Sequence, residues 1–311
     1  MIGELFALLG ACSFSTHNIA VRRGMRTALD SGVFMSTSIS TVIFLVVIGV
    51  LYFGRLLPPL TAMGFFLFVV AGLFTSFTGR SLNYAAIRAL GPSRSTSFRA
   101  SSPLITICLA FTFLSERFTL LQFVGAALVL GGVSILSREV IGRTDLEVQS
   151  KFVPVSNDPV NRPKRALTGI LCALGSALSF GTGHFLRKLA LQEVPSPYWG
   201  LAVGTTAAWL ALVAHTALRG RLKEAFKNNF NFHHLPWFYV IAGVLATSGQ
   251  LFLYLAIYFT EVSTAMVLAS SEPLATLCIS RLLLGREEPM NRRVVFCSVT
   301  VFLGIIFMIM S

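Results

Sequence analysis

The chain has 311 residues, 54% of them hydrophobic and only 12% charged, with 25 Lys and Arg against 13 Asp and Glu. Soluble domains carry roughly 25% charged residues; so few polar groups could not cover this much apolar chain in water, and a water-soluble globule is excluded. The net charge of +12 lies mostly in short connections and segment ends, where it orients a chain in a membrane rather than marking a nucleic-acid binder.

In chain order, ten apolar runs can be marked, at approximately 3–21, 33–53, 62–87, 93–114, 118–137, 166–186, 197–218, 235–258, 262–284 and 292–310. Each is close to the roughly 20 residues with which an α-helix crosses a hydrocarbon core, and none shows the alternation of barrel strands. The start, Met1-Ile2-Gly3-Glu4, lacks the basic segment of a cleavable signal, so the first run reads as a retained helix. Most connections are short, as at Arg55-Leu56-Leu57-Pro58-Pro59. Residues 138–165 hold Pro154, Pro159 and Pro163 among ten charged side chains and read as a solvated linker; Arg219 to His234 forms a second polar insert. Cys12, Cys108, Cys172, Cys278 and Cys297 all fall in apolar runs without CxxC spacing and read as small packing residues.

The linker separates two halves, 1–137 and 166–311, that resemble each other. Ala11-Cys12-Ser13-Phe14-Ser15-Thr16 aligns with Ala177-Leu178-Ser179-Phe180-Gly181-Thr182, and Tyr84-Ala85-Ala86-Ile87 with Tyr254-Leu255-Ala256-Ile257. The strongest block pairs Ala100-Ser101-Ser102-Pro103-Leu104 with Ser270-Ser271-Glu272-Pro273-Leu274, followed by Thr106 and Thr276, then Cys108 and Cys278. Five helices per half is an odd number, so the second half enters the membrane from the opposite side. The expected fold is an all-α integral membrane protein of ten transmembrane helices arranged as two inverted five-helix repeats. In such plans, substrate sites form near the midplane where the repeats meet.

At these residues the chain resembles the EamA-type members of the drug/metabolite transporter superfamily. Each half carries a Pro-initiated run, a turn containing Glu and a fifth helix: Pro103 through Ser115-Glu116, then Gly125 to Gly132, and Pro273 through Glu287-Glu288, then a run keeping Gly304. The second half departs by one extra turn residue and by Cys297 where Gly125 would map. The resemblance implies a multi-pass carrier, in the plasma membrane, that moves small metabolites, often amino acids or related compounds and frequently outward.

Polar residues inside the runs mark the candidate site, because ionisable groups are expensive there. Arg80, Tyr84 and Arg88 are spaced by four and share a helical face; Gln250, Tyr254 and Tyr258 occupy the matching face of the eighth run. Ser95, Arg99 and Ser102 form a stripe on the fourth run, and Glu272 takes the symmetry position of Ser102. Arg88, Arg94 and Arg281 stand near run ends and are assigned to snorkelling toward the interface. Arg80 and Arg99 are the candidates for an anionic group, since guanidinium forks match carboxylates, with Tyr84, Tyr254 and Gln250 orienting the remainder. Pro103 and Pro273 each remove a helix hydrogen bond and are expected to kink their helices. Glu272 is expected either to pair with Arg99 or to carry a proton, with the pair favoured by the repeat geometry.

No catalytic residue is assigned, because no HExxH, GxSxG or Walker A motif lies in the chain. No cofactor or metal is assigned either, since His17 and His184 lack a partner at ligand spacing. The leading reading is a secondary transporter, exporter or exchanger, of a small polar metabolite such as an amino acid or organic anion, with coupling to protons or a counter-substrate left open. The alternative is a flippase of a lipid-linked, phosphate-bearing substrate.

Lys and Arg outside the deep runs concentrate on the face that holds Arg22, Arg23, Arg26, the linker and the 219–234 insert. The opposite face holds the termini, Arg55, Arg117, Arg187 and Lys188. The positive-inside rule places the linker in the cytoplasm and both termini outside, whereas the family resemblance implies cytoplasmic termini. A C-terminal reporter active only in the cytoplasm is expected to stay silent; activity there, with a linker shielded from cytoplasmic reagents, overturns the assignment.

Overall fold

The computed structural model describes residues 2–27, 32–90, 101–114, 119–132, 134–135, 162–229, 237–272, 275, 279 and 292–310. These residues form helices and no strand. The helices are α1 (Ile2–Thr27), α2 (Val33–Phe53), α3 (Ala62–Gly72), a π-helical segment (Leu73–Gly79) that runs straight into α4 (Arg80–Leu90), and α5 (Ser102–Phe113). α6 (Leu120–Gly132) completes the first half. The second half holds α7 (Arg162–Glu193), α8 (Pro197–Leu218), α9 (Leu222–Asn229), α10 (Trp237–Phe259), α11 (Val262–Ala269) and α12 (Arg292–Ile309).

Among the described residues, five helices are long and apolar enough to cross a membrane: Val33–Phe53, Ala62–Ala86, Leu167–Glu193, Pro197–Leu218 and Trp237–Phe259. α5 and α6 are shorter apolar helices. The expected spans are therefore seen in part, and most of the 138–165 linker lies outside the described residues.

Local chemistry sets the helix starts. Thr61, extended at φ −78° and ψ 153°, accepts from Gly64 N at 3.1 Å and opens α3 behind Pro58-Pro59. Ser196 does the same for α8, accepting from Trp199 N at 3.4 Å with Pro197 in the first turn. Such caps satisfy amide groups that have no intrahelical partner. Pro103 plays a related part. It stands in the first turn of α5, next to Ser101 and Ser102, where its missing N–H costs no helix hydrogen bond. It starts a helix at a position where a mid-helix kink was expected. The second half breaks at the equivalent place, with a turn at Ser270 and Ser271 immediately before Glu272; the expected continuous run 262–284 is interrupted there, and Pro273 lies outside the described residues.

Two boundaries differ from the hydropathy reading. α1 continues to Thr27 rather than ending near 21, and α7 spans Arg162–Glu193 rather than 166–186. The cations Arg187 and Lys188 do not end α7, because Ala190 and Leu191 beyond them are buried in the main core.

The packing crosses the halves. α1 packs chiefly along α10, while α7 packs along α3, the π segment and α4. The first helix of each half thus lies on the third helix of the other. α2 and α8 meet each other, and each also contacts the third helix of the opposite half. Without a hydrophobic drive between helices in lipid, small residues that permit close approach hold such crossings together. At the α3–α8 crossing, a Cβ on Gly72 would run into the carbonyl of Gly204, whereas a Cβ on Gly204 would meet Gly72 Cα and Phe68 O at 3.3 Å.

This asymmetry is testable. Gly72→Ala is expected to destabilise the protein by about 1–3 kcal/mol through overpacking, and Gly204→Ala by less than about 1 kcal/mol. Thermal unfolding in detergent compares them, and equal or inverted losses would contradict the crossing.

Candidate functional site

A polar axis runs through the middle of the bundle. The π segment of the third helix carries Thr75, whose hydroxyl donates to Ala71 O at 2.8 Å. π-helical turns of this kind gather at functional positions because they redirect side chains within an otherwise regular helix. From α7, Arg187 reaches Thr75: its Nη2 donates to Thr75 Oγ1 at 2.8 Å. Its Nη1 faces His184 Nδ1 at 3.4 Å, which makes that nitrogen the acceptor and leaves His184 neutral. The guanidinium carbon stands 4.4 Å from the centre of the Tyr254 ring, a cation–π geometry. The Tyr254 hydroxyl donates to Gly200 O at 3.2 Å.

Arg80 begins α4 directly after the π segment. Its Nη1 donates to Thr37 Oγ1 of α2 at 3.2 Å. Tyr84 lies one turn further along. Arg80 and Arg187 are both buried, at 8% and 3% exposure. Among the described residues, no carboxylate pairs with either guanidinium. Three buried polar atoms here have no hydrogen-bond partner: Tyr84 Oη, Arg187 Nε and Gln250 Oε1. Gln250 sits one turn before Tyr254 on α10.

Of the residues read from the sequence, Arg80, Tyr84, Gln250 and Tyr254 are all buried. Tyr254 meets the axis through Arg187, which the sequence reading had placed outside the membrane interior. Arg187 is in fact among the most buried charged side chains described. The signal that marks it is the apolar Leu189-Ala190-Leu191 beyond it, with the first strong break only at Pro195. Lys188, next to it, does lie toward a helix end: its Nζ donates to Ile257 O at 2.9 Å and Thr260 O at 2.7 Å. These are carbonyls at the C-terminus of α10, where a cation is favoured. Moving Arg187 inside removes a cation from the poorer face and enlarges the charge bias.

Ser102 is buried at the start of α5. Its backbone oxygen accepts from Thr106 Oγ1 at 3.3 Å, and Thr106 also donates to Gly181 O at 3.0 Å, tying α5 to α7. Glu272 is half-buried. Its carboxylate accepts from Asn18 Nδ2 of α1, and Ser15 Oγ donates to its backbone oxygen at 2.7 Å. Asn18 is thus a partner that sequence reasoning did not name. Arg99, the expected partner, lies outside the described residues. His17 Nδ1 stands 2.7 Å from Ala242 O and bridges α1 to α10.

The axis sets a stability expectation. Thr75→Val removes the acceptor for Arg187 Nη2 and is expected to cost about 1–2 kcal/mol. Thr37→Val, at the longer Arg80 contact, should cost less. Unfolding midpoints of the two purified variants check this, and an unchanged midpoint for Thr75→Val would remove the hydrogen bond from the account.

A family model described as the EamA-like transporter family matches residues 1–138 and 167–310. Twenty-four solved chains match the structure. One crystal structure among them is similar over 98% of this chain and 94% of its own, with a TM-score of 0.69 and 14% sequence identity. At that identity the likeness concerns the fold alone. No curated protein matches the sequence significantly.

Proposed function

Because the chain belongs to the EamA-like transporter family, a family of membrane transporters of the drug/metabolite transporter superfamily rather than of enzymes, we propose that it is a secondary transporter for a small polar metabolite bearing an anionic group, an amino acid or organic anion. One observation carries the reading: Arg80 and Arg187, from opposite halves, are both buried, and their hydrogen bonds among the described residues go to Thr37, Thr75 and His184 rather than to a carboxylate. Buried charges of one sign are costly unless a partner is supplied, and a substrate anion is that partner. Guanidinium groups suit it, because their donors form a planar fork matched to carboxylates and phosphates.

The arrangement also suggests how binding couples to movement. Arg80 and Thr75 belong to one half and Arg187, Tyr254 and Gln250 to the other, so an anion held between the guanidiniums bridges the two halves. Tyr84 Oη, Arg187 Nε and Gln250 Oε1 are sealed from water in this conformation. A substrate that engages them requires α7 to part from the third helix, which links occupancy to alternating access.

The lipid-substrate alternative rests on a different feature. A cavity of about 180 Å³ lies between α2, α8 and α10, lined by Ile43, Phe44, Val47, Tyr198, Thr247 and Leu251, among others. Its walls are apolar and the neighbouring Val42 and Val46 face outward, as an acyl chain would need.

Proteoliposomes decide between the readings. Carrier-mediated uptake of carboxylate-bearing solutes, reduced at least about tenfold in Arg80→Gln and Arg187→Gln, is expected when a charge-assisted pair is lost. Uptake confined to organic cations, or movement of lipid-linked phosphates alone, would overturn the metabolite reading.

A further inference from the structure

Away from the central site, we infer that α9 and the turn before it form a docking surface for the headgroups of anionic phospholipids. The segment from Arg219 to Lys227 carries four cations, Arg219, Arg221, Lys223 and Lys227, against one acid, Glu224. It follows directly on α8, a helix long and apolar enough to cross the membrane, which ends at Leu218. That end is fixed by hydrogen bonds. Arg221 N donates to Thr216 O at 3.2 Å and Gly220 N to Ala217 O at 2.9 Å, the paired bonds that close a helix around a left-handed residue. Gly220 supplies that conformation at φ 67°, which a residue without Cβ adopts at no steric cost. α9 starts at Leu222, two residues later, so the chain has no slack with which to carry these cations away from the headgroup layer. That layer adds roughly 5–8 Å to each side of the hydrocarbon core.

Packing decides which face of α9 looks outward. The helix lies on the ends of α8 and α2. Phe226 meets the ring of Phe34 edge-on, with centroids 5.1 Å apart and planes at 74°, and Phe34 is buried in the first turn of α2. Leu222 and Ala225 are half-buried, while Arg219, Arg221, Lys223 and Lys227 are exposed. Lys223 and Lys227 are four apart and share one face. Apolar side chains stand at the same level as the cations: Leu218 is 89% exposed and Phe226 41%. Headgroups above acyl chains complement both features, as they do for helices that lie in the membrane interface. An acidic protein or a nucleic acid complements the charge alone. The positive-inside assignment puts this end on the cytoplasmic face, whose leaflet carries the anionic lipids. Orientation by itself needs only cations somewhere on that face; it does not call for a short amphipathic helix pinned to the end of a span.

The unaltered protein in a non-ionic detergent tests the surface, by native mass spectrometry with phosphatidylglycerol and phosphatidylcholine of identical acyl chains. Phosphatidylglycerol is expected to bind at least about fivefold more tightly, the scale of one basic residue near an anionic surface. Arg219→Gln, Arg221→Gln, Lys223→Gln and Lys227→Gln combined are expected to bring that preference below about twofold. Four neutralisations in the linker on the same face, Arg138→Gln, Arg143→Gln, Lys151→Gln and Lys164→Gln, should leave it in place. If the combined α9 variant does not fold, Glu224→Gln decides: removing the acid of this helix should tighten phosphatidylglycerol by about two- to fivefold and leave phosphatidylcholine unchanged. Equal binding of the two lipids to the unaltered protein, a preference that survives the α9 substitutions, or an equal loss in the linker variant overturns the inference. An unchanged phosphatidylglycerol affinity in Glu224→Gln does the same. A tetraglutamate peptide that binds more tightly than phosphatidylglycerol would give the surface to an acidic partner and overturn the lipid assignment. None of these outcomes depends on what the protein transports.

Discussion

A hydrocarbon core offers no water to a polar group, so each donor carried into it must be met from within the bundle or by a ligand. In this protein the constraint falls hardest on Arg187. Its side chain is met by Thr75 from the opposite half, by His184 one turn away and by the face of Tyr254. Those contacts join α7, the π segment and α10 at one point. The π-helical turn matters because it presents Thr75 to α7 while the same helix goes on to place Arg80 and Tyr84 a turn or two later.

The crossed packing turns that point into a junction between halves. Each half contributes its first helix to the third helix of the other, so the polar axis is assembled from both repeats. Small residues allow the approach: Gly72 lies against Gly204, and Gly181 and Gly183 of α7 lie against α5 and the π segment. Interfaces built on close van der Waals fit and a few hydrogen bonds are suited to reorganising as units, because little apolar area has to be exposed to water when they shift. The hydroxyls along α2, at Ser36, Ser38, Ser40 and Thr41, bond to their own helix and so line the interior without leaving open donors.

The charges outside the axis have different work. Lys188 binds carbonyls at the end of α10, and Glu272 binds Asn18 across the α1 side. The first ties two helices of the second half together, and the second joins the second half to the first. Arg80 and Arg187 differ from these: among the described residues their hydrogen bonds go to neutral side chains of the bundle interior.

Much of the candidate site could be read from the chain itself. Arg80 and Tyr84 stand out because a spacing of four puts them on one face, and Gln250 and Tyr254 stand out because the second half repeats that face. The class of protein and its membrane setting follow from composition, since apolar surface on this scale has no stable place in water. Arg187 could not be found in the same way. A hydropathy reading stops at Arg187-Lys188, and nothing local shows that the first of these adjacent cations is buried and the second reaches a helix end. Their fates separate only because α7 turns about 100° between them, aiming Arg187 at Thr75, which is 112 residues distant in sequence, and Lys188 at the end of α10. Pro103 shows the same limit: the sequence marks a residue that cannot donate, but only the turn at Ser101 makes it the start of a helix. Local spacing and composition determine which residues are candidates; which of them share one buried space depends on how helices from opposite halves cross, and that is a property of the tertiary packing.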